Sequence, residues 1–267
     1  MKNPIPYFGG KARFARKIIE LFPEHRTYVE PFGGAMSVLL AKEPSKVEVY
    51  NDLDGEVVNF FRVLQDSKAL TELLNRAWAS PYSREEYYKC KELIKTTDDP
   101  IEKARCFFVL ARYGFAGHRE SFGISPKSPH SRSCHNALCN LAHLQERLAS
   151  VCIESLDFRK ILNSYDTEET LFYLDPPYVP DTRKSGKYSC ELTYDDHMEL
   201  VNLLNNIQGK FVLSGYDNDL YNSQGWYKKE YKVICSAAGR TKKSGLQGEG
   251  SCSNQARMEC LWSNFEV

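Results

Sequence analysis

The chain has 267 residues, which is enough to bury a sizeable core as one large domain or as a domain with an insert. Its 35 basic and 35 acidic residues balance, so the net charge of zero gives no overall indication of nucleic-acid binding. No apolar stretch approaches the ~20 residues needed to span a bilayer, and residues 1–6 lack the apolar region of a signal peptide. Because its nine cysteines are also scattered and form no CxxC pair, we expect a cytoplasmic protein with reduced thiols and no membrane contact.

The first third of the chain predicts the alternating strands and helices of an α/β fold. The predicted helices of this part are residues 13–21, a helix opening at 37–41, residues 55–65 and further helices up to about residue 93. The predicted strands are residues 27–31 and 46–50. The first strand leads into a turn at Phe32-Gly33-Gly34, and the second ends at Asn51-Asp52.

The segment from about residue 66 to 150 has a different composition, and we interpret it as an insert. A helix predicted over residues 101–113 is followed by a stretch rich in Gly, Ser, Pro and His over residues 114–133, which predicts a long functional loop. Residues 103–147 hold seven basic and two acidic side chains, so this part can meet phosphates; a solvated basic surface is the alternative. Its Cys and His residues match no zinc-site spacing, and no metal is predicted.

Strand character returns in the second half of the chain. The predicted strands here are residues 151–153, 171–174, 210–214, 227–235 and 258–265. A helix is predicted over residues 194–206, starting after Thr193.

The segment Asp175-Pro176-Pro177-Tyr178 directly follows the apolar strand predicted over residues 171–174. Open α/β sheets bind ligands at this carboxyl end of their strands. The two prolines have a fixed φ and no N–H, so the loop is stiff and its carbonyl groups are not used in strand pairing. Such a loop presents a carboxylate, carbonyl oxygens and an aromatic ring, which suits a planar base that carries an amino group. A simple turn is the alternative, since Asp and Pro are turn formers.

Four motifs occur in a fixed order along the chain. They are Tyr7-Phe8-Gly9-Gly10-Lys11, Glu30-Pro31-Phe32-Gly33-Gly34 with Asn51-Asp52, Asp157-Phe158, and Asp175-Pro176-Pro177-Tyr178 followed by residues 213–217. This order resembles the Dam-like (D12 class, alpha group) N6-adenine-specific DNA methyltransferases. The resemblance covers nearly the whole chain, is weakest between about residues 66 and 150, and returns at Arg257-Met258-Glu259.

The resemblance implies an α/β, Rossmann-like S-adenosylmethionine-dependent methyltransferase fold with an inserted, mainly helical target-recognition domain. Residues 1–65 and 150–267 would form the catalytic and cofactor-binding domain, and residues 66–149 the recognition insert. The implied cofactor is S-adenosyl-L-methionine and the implied partner is double-stranded DNA, bound by a monomer or a dimer.

The cofactor site implied by the resemblance also has a physical basis. A Gly pair after a strand lets the backbone approach a ligand closely, and an acid at the end of a neighbouring strand accepts ribose hydroxyls in dinucleotide-binding folds. Asp52 can instead be a helix cap, and Phe158 a core residue. The residues assigned to the cofactor are Tyr7, Gly10, Lys11, Glu30, Phe32, Gly34, Asp52, Asp157, Phe158 and Asp175.

Two positions depart from the family pattern. The first motif usually begins with Trp, where this chain has Tyr7, and the second usually ends with Gly, where it has Met36. A Met side chain would weaken the cofactor site if it pointed into it, so a catalytically silent DNA-binding homologue stays an alternative. Methylation of cytosine N4 is another alternative, although Asp at the first position of Asp175-Pro176-Pro177-Tyr178 favours adenine.

The predicted catalytic residues are Asp175, Pro176, Pro177 and Tyr178. The Asp175 carboxylate and the Pro176 carbonyl are expected to accept the two N6 hydrogens of adenine, and Tyr178 to stack on the base. This would direct the nitrogen lone pair at the methyl group for direct transfer, and the adenine has to be flipped out of the duplex to reach the pocket.

The predicted DNA contacts combine arginines, aromatic rings and basic loops. Arg can read guanine edges or bind phosphate, and the sequence leaves both possibilities open. These residues are Arg112, Tyr113, Phe115, His118, Arg119, Lys127, Arg183, Lys187, Arg240 and Lys242.

Overall fold

The computed structural model describes residues 3–7, 9–114, 119–124, 130–179, 190–234 and 256–266. Its strands are β1 (Thr27–Glu30), β2 (Val47–Asn51), β3 (Val151–Glu154), β4 (Thr170–Leu174), β5 (Lys210–Tyr216), β6 (Tyr227–Ile234) and β7 (Ala256–Ser263). Its helices are α1 (Ala15–Ile19), α2 (Gly55–Gln65), α3 (Ser67–Trp78), α4 (Arg84–Leu93), α5 (Pro100–Tyr113), α6 (His130–Leu148), α7 (Phe158–Tyr165), α8 (Tyr194–Leu204) and α9 (Asp219–Asn222). Within these ranges, no helix combines the length and the apolar character needed to cross a bilayer.

The strands form one mixed sheet in the order β3-β2-β1-β4-β5-β7-β6. Strands β1 to β5 are parallel, and β7 lies antiparallel between β5 and β6. The chain goes from β1 outward to β2 on one side and returns to β4 on the other, so β1 and β4 flank a switch point in strand order. Ligands bind at such a point, outside the carboxyl ends of the strands. The mixed α/β sheet is consistent with the expected methyltransferase fold.

Alternate residues of a strand point to opposite faces of the sheet, and here apolar residues on both faces are covered by helices. Leu171 and Tyr173 of β4 join a core with helices α1 to α6. Phe172 and Leu174 of the same strand join a second core with helices α7, α8 and α9. All five residues of β4 are buried, which is the pattern of a central parallel strand.

The helices between residues 66 and 149 continue the core of the sheet instead of building a separate one. The Phe60 ring of α2 lies 5.4 Å from Phe107 of α5, and both belong to the cluster that reaches the sheet. Arg105 of α5 is buried and pairs with Glu86 of α4 at 2.5 Å and with Glu102 at 2.7 Å. The helical character predicted for this segment is therefore present, although its role in recognition rests on other arguments.

Two predictions about local structure are wrong. The helix expected to open at residues 37–41 is absent, and residues 34–41 form consecutive turns; Met36, directly before the expected start, has a left-handed φ of 57°. The loop predicted as far as residue 133 is replaced by α6 from His130. Helices α6 and α7 were not predicted.

Candidate active site

A cleft of about 880 Å³, measured out to its mouth, lies at the carboxyl ends of β1, β2 and β4. This is the edge where open α/β sheets bind ligands. The predicted site residues that line the cleft are Tyr7, Gly10, Lys11, Glu30, Phe32, Gly34, Asp52, Phe158, Asp175 and Pro177. Folding therefore brings residues of all four sequence motifs together around one space.

The loop after β1 is packed too tightly for a side chain at Gly33. A Cβ atom there would lie 2.2 Å from Cε2 of the Tyr50 ring. The N–H of Gly34 donates to Asp52 Oδ2 at 2.8 Å, and the Gly34 carbonyl accepts from the Tyr50 hydroxyl at 2.7 Å. At these two positions the cleft is consequently lined by backbone, which can approach a ligand closely.

Met36 points into the protein core and not into the cleft. Its side chain is fully buried in the cluster between the sheet and helices α1 to α6, whereas the neighbouring Ala35 and Ser37 line the cleft. Its φ of 57° is a left-handed conformation that Gly adopts more readily than Met. The backbone conformation thus explains a Gly in the family pattern, and Met at this position changes core packing and not the cleft.

Two carboxyl groups with unusual environments face the cleft. Asp52 accepts from the N–H of Gly34 and from the N–H of Asp54, both at 2.8 Å, and burial raises the pKa of Asp52 to about 6. Asp54, rather than Asp52, caps helix α2. Glu30 accepts from the Tyr28 hydroxyl at 2.7 Å, and burial raises the pKa of Glu30 to about 8. Each carboxylate oxygen has a second lone pair, so Asp52 keeps capacity to accept from ligand hydroxyls.

The aromatic wall of the cleft comes from Phe32 and Phe158, whose ring centroids lie 5.4 Å apart. Phe158 is 1% exposed and belongs to the second core, so it serves packing and lines the cleft at once. Asp157 caps α7 by accepting from the N–H of Arg159 at 2.9 Å. This cap fixes the start of α7 and with it the position of the Phe158 ring.

The N-terminal motif and the insert meet beside Asp52. The Tyr7 hydroxyl donates to Asp54 Oδ2 at 3.2 Å, and Arg119 pairs with Asp54 Oδ2 at 3.1 Å and with Glu56 Oε2 at 2.6 Å. The Arg119 guanidinium also lies 4.9 Å from the centroid of the Phe107 ring. These contacts attach residues 119–124 of the insert to the wall of the cleft.

Asp175 lies at the end of β4 within a group of polar side chains. The Lys11 ammonium donates to both of its carboxylate oxygens, at 2.7 and 2.9 Å, and the Ser214 hydroxyl donates to Oδ1 at 2.8 Å. Lys11 also donates to the Tyr178 hydroxyl at 2.6 Å, and Tyr178 donates to Glu259. Although burial disfavours its charge, the carboxylates hold the pKa of Lys11 well above its usual range.

Sequence reasoning did not select Ser214 and Glu259 as site residues. Ser214 follows three buried apolar residues of β5, and Glu259 lies between Met258 and Cys260 of β7; a buried polar group of this kind needs a partner. That pattern is the signal in the sequence, but it does not say which partner each of them meets.

The predicted DNA contacts that the structure describes have protein partners in this conformation. Arg112 donates to the carbonyl and hydroxyl oxygens of Ser133 at 2.6 and 2.9 Å, and Arg119 pairs with carboxylates as described above. Tyr113 is 5% exposed and packs 4.5 Å from Tyr82, so its ring is covered in this conformation and its contact with DNA stays a prediction. The others lie outside the described residues: Phe115, His118, Lys127, Arg183, Lys187, Arg240 and Lys242.

Comparison with known proteins identifies relatives of this chain. Residues 7–234 match the model of the family described as D12 class N6 adenine-specific DNA methyltransferase. A DNA adenine methylase of Salmonella typhi is 25% identical over 260 residues, which cover 90% of this chain and 91% of the relative. A DNA adenine methylase of Haemophilus influenzae is 23% identical over 240 residues, 82% of each chain. The DNA N-6-adenine-methyltransferase of Escherichia phage P1 is 26% identical over 244 residues, which cover 82% of this chain and 31% of the relative.

Proposed function

The chain belongs to the family of D12 class N6 adenine-specific DNA methyltransferases, and on this basis we propose that its cleft binds S-adenosylmethionine beside a flipped adenine. Its activity is the methylation of adenine N6 in DNA. The observation that carries the proposal is that Asp175 and Pro177 line the same cleft as Asp52 and Phe158. A base held at Asp175 and a methyl donor held at Asp52 then share one enclosed space.

The residues of the cleft fit S-adenosylmethionine by their chemistry. Asp52 is an acceptor for the ribose hydroxyls, and Phe32 and Phe158 offer apolar surface for the adenine ring. The backbone at Gly33 and Gly34 lines the cleft and can approach the methionine part closely, because a Cβ atom at Gly33 would clash with the Tyr50 ring and Gly34 has a φ of 47° that strains other residues. When bound, this cofactor supplies an electrophilic methyl group.

Asp175 and its loop act on the amino group of the target adenine. The N6 lone pair is conjugated into the ring, and hydrogen bonds from N6 to the Asp175 carboxylate and the Pro176 carbonyl draw the nitrogen toward tetrahedral geometry. Tyr178 is proposed to stack on the base, which requires that the residues covering its ring, 7% exposed in the described conformation, move aside; the Tyr216 ring packs against it at a centroid distance of 4.5 Å. The N6 proton that is lost on methylation passes to Asp175. Positioning and electrostatics thus supply the rate acceleration, without a covalent enzyme intermediate.

Recognition of the DNA sequence is assigned to residues 66–149. The contacts of Arg119 support this, because they attach a loop of that segment to the wall of the cleft into which the base must enter. The basic residues Lys127, Arg183, Lys187, Arg240 and Lys242 are proposed to bind the DNA backbone. One chain contains both the base site and the donor site, which supports a monomer as the unit that acts on double-stranded DNA inside the cell.

The alternatives are not favoured by the relatives. The family and the named homologues are adenine-specific, which disfavours cytosine N4 as the target. The burial of Met36 in the core removes the reason to expect a silent homologue.

The proposed function is tested by incubating the protein with mixed-sequence DNA and S-adenosylmethionine that carries a labelled methyl group. The modified base and its sequence context are then mapped by sequencing. We expect N6-methyladenine within a defined short sequence. Label on cytosine, or no transfer together with tight donor binding in calorimetry, would contradict the proposal.

The affinity for S-adenosylmethionine is expected to fall as the pH is lowered through about 6. The ionised form of Asp52 accepts ribose hydroxyls, and burial places the pKa of this carboxyl at about 6. Below that pH the protonated form dominates, and affinity falls by up to ~10-fold per pH unit. Glu30, with a pKa raised to about 8 by burial, is mainly protonated throughout pH 5 to 7 and adds little to the slope there.

Calorimetry between pH 5 and 7 measures this effect, with Asp52→Asn as the control. The variant keeps an acceptor oxygen and has no titrating group, so its affinity should be lower at pH 7 and nearly constant with pH. An equal pH slope in both proteins would show that another group controls binding.

A further inference from the structure

Glu259 is a buried carboxylate whose position is determined by the sheet. It lies on β7 opposite Tyr216 of β5, and it is 7% exposed. Its carboxylate accepts from the Tyr178 hydroxyl at 2.5 Å and lies 3.4 Å from the Lys11 ammonium. Glu259 therefore contacts both the ring proposed to stack on the base and the cation that holds Asp175.

In the described conformation, Lys11 competes with the adenine amino group for Asp175. Lys11 donates to both oxygens of Asp175, and Ser214 donates to one of them. A carboxylate has about four acceptor sites, so most of those on Asp175 are in use before a base arrives. An adenine amino group that binds Asp175 has to displace Lys11 from at least one oxygen.

A displaced Lys11 cannot remain without a counter-charge, because this ammonium is buried and an unpaired buried charge is strongly unfavourable. Glu259 already lies within 4 Å of Lys11 Nζ, on the side where Lys11 also contacts the Tyr178 hydroxyl. A small movement of the flexible Lys side chain toward Glu259 would free Asp175 and keep the charge paired. Such a movement would also leave Tyr178 in place.

We propose that Glu259 is a positioning residue that takes over the Lys11 ammonium when the adenine amino group binds Asp175. It also orients Tyr178 through the hydroxyl. The inference rests on the proposed function and adds to it a role for a residue outside the four motifs. Glu259 would thus act through Lys11 and Tyr178, without touching the base or the methyl donor.

The first test is Glu259→Gln, which keeps the shape and an acceptor for Tyr178 but removes the charge. Lys11 keeps its partners on Asp175 and Tyr178, so we expect the melting temperature and the Kd for S-adenosylmethionine to be close to wild type. Single-turnover methylation should slow by roughly 10- to 100-fold, the size of loss that outer-shell partners of metal ligands show when they are removed. Glu230→Gln is the matched control, because Glu230 lies on the adjacent β6, is exposed and pairs with Lys228.

A double-mutant cycle with Lys11→Met separates this role from simple packing. Without the ammonium there is no charge to transfer, so adding Glu259→Gln to Lys11→Met should change the residual rate by less than about twofold. The same 10- to 100-fold loss in both backgrounds, or a Glu259→Gln variant as fast as wild type, would overturn the proposal. A failure of the proposed function would appear as no methyl transfer to adenine by the wild-type protein. A failure of the proposed role of Glu259 would leave wild-type transfer intact, so the two failures are distinguishable.

Discussion

Asp175→Asn is expected to lower the rate of methyl transfer by about 10²- to 10³-fold, the effect of removing one group that stabilises a transition state. The Asn amide offers one acceptor oxygen where the carboxylate offers two, and its NH2 faces the amino group of the base with like polarity. Lys11 keeps contacts with Glu259 and Tyr178, so its charge stays paired in the variant. Affinity for S-adenosylmethionine should stay within about threefold of wild type.

Asp217→Asn is the matched control for this substitution. Asp217 follows the adjacent strand β5 and pairs with Lys228 at 2.6 Å, but its side chain is 56% exposed. The same chemical change there should leave single-turnover methylation at the wild-type rate. If Asp175→Asn retained near wild-type turnover, Asp175 would not be the acceptor for N6, and the proposed arrangement of the base would be wrong.

The parts of the site that the sequence predicted are those that depend on neighbouring residues. The apolar run before Asp175 predicted a buried strand, and β4 is buried along its whole length. The Gly-containing turn after the first strand was predicted as well. In the structure, Gly33 has no room for a Cβ atom and Gly34 has a positive φ, so both positions require Gly.

The features that the sequence did not predict depend on contacts between distant parts of the chain. Lys11 and Asp175 are 164 positions apart in the sequence, and Glu259 and Tyr178 are 81 apart. The strand order places β7, which carries Glu259, beside β5. Tyr113 is predicted to contact DNA, and in this conformation it lies on α5, where residues on nearly every side are buried. A helix packed between α2, α3 and α4 leaves no exposed face there, and periodicity alone did not show this.

The position of residues 66–149 offers a route by which the proposed recognition segment would be coupled to the cleft. The helices of residues 66–149 share a core with α2, and α2 is capped by Asp54 beside the cleft. Arg119 connects the loop after α5 to the same Asp54. Its φ of 55° is unusual for a residue other than Gly, and such conformations persist where surrounding contacts hold them. We therefore expect that a displacement of residues 119–124 by DNA would move the wall of the proposed donor site.

Gly33→Ala is expected to weaken S-adenosylmethionine binding by roughly 10- to 100-fold and to lower the melting temperature by several degrees. The added Cβ would lie 2.2 Å from the Tyr50 ring, which is fully buried and lies 5.3 Å from Phe61. The loop cannot retreat easily, since the N–H of Gly33 donates to the Asn51 carbonyl at 2.8 Å. Overpacking of this kind costs about 1–3 kcal/mol, and every ~1.4 kcal/mol lost from binding is a tenfold change in Kd.

Gly55→Ala is the control for Gly33→Ala, because a Cβ atom at Gly55 meets no atom within 4 Å and Gly55 is the first residue of α2. Ala is a better helix former than Gly, so this variant should match wild type in calorimetry and melt at the same or a slightly higher temperature. Comparing the two variants separates the effect on donor affinity of the close approach between backbone and donor from the effect of adding a methyl group in general. If Gly33→Ala bound the donor as tightly as Gly55→Ala, the loop after β1 would not be the cradle of the methionine part. The methionine part of the donor would then have to lie elsewhere in the cleft.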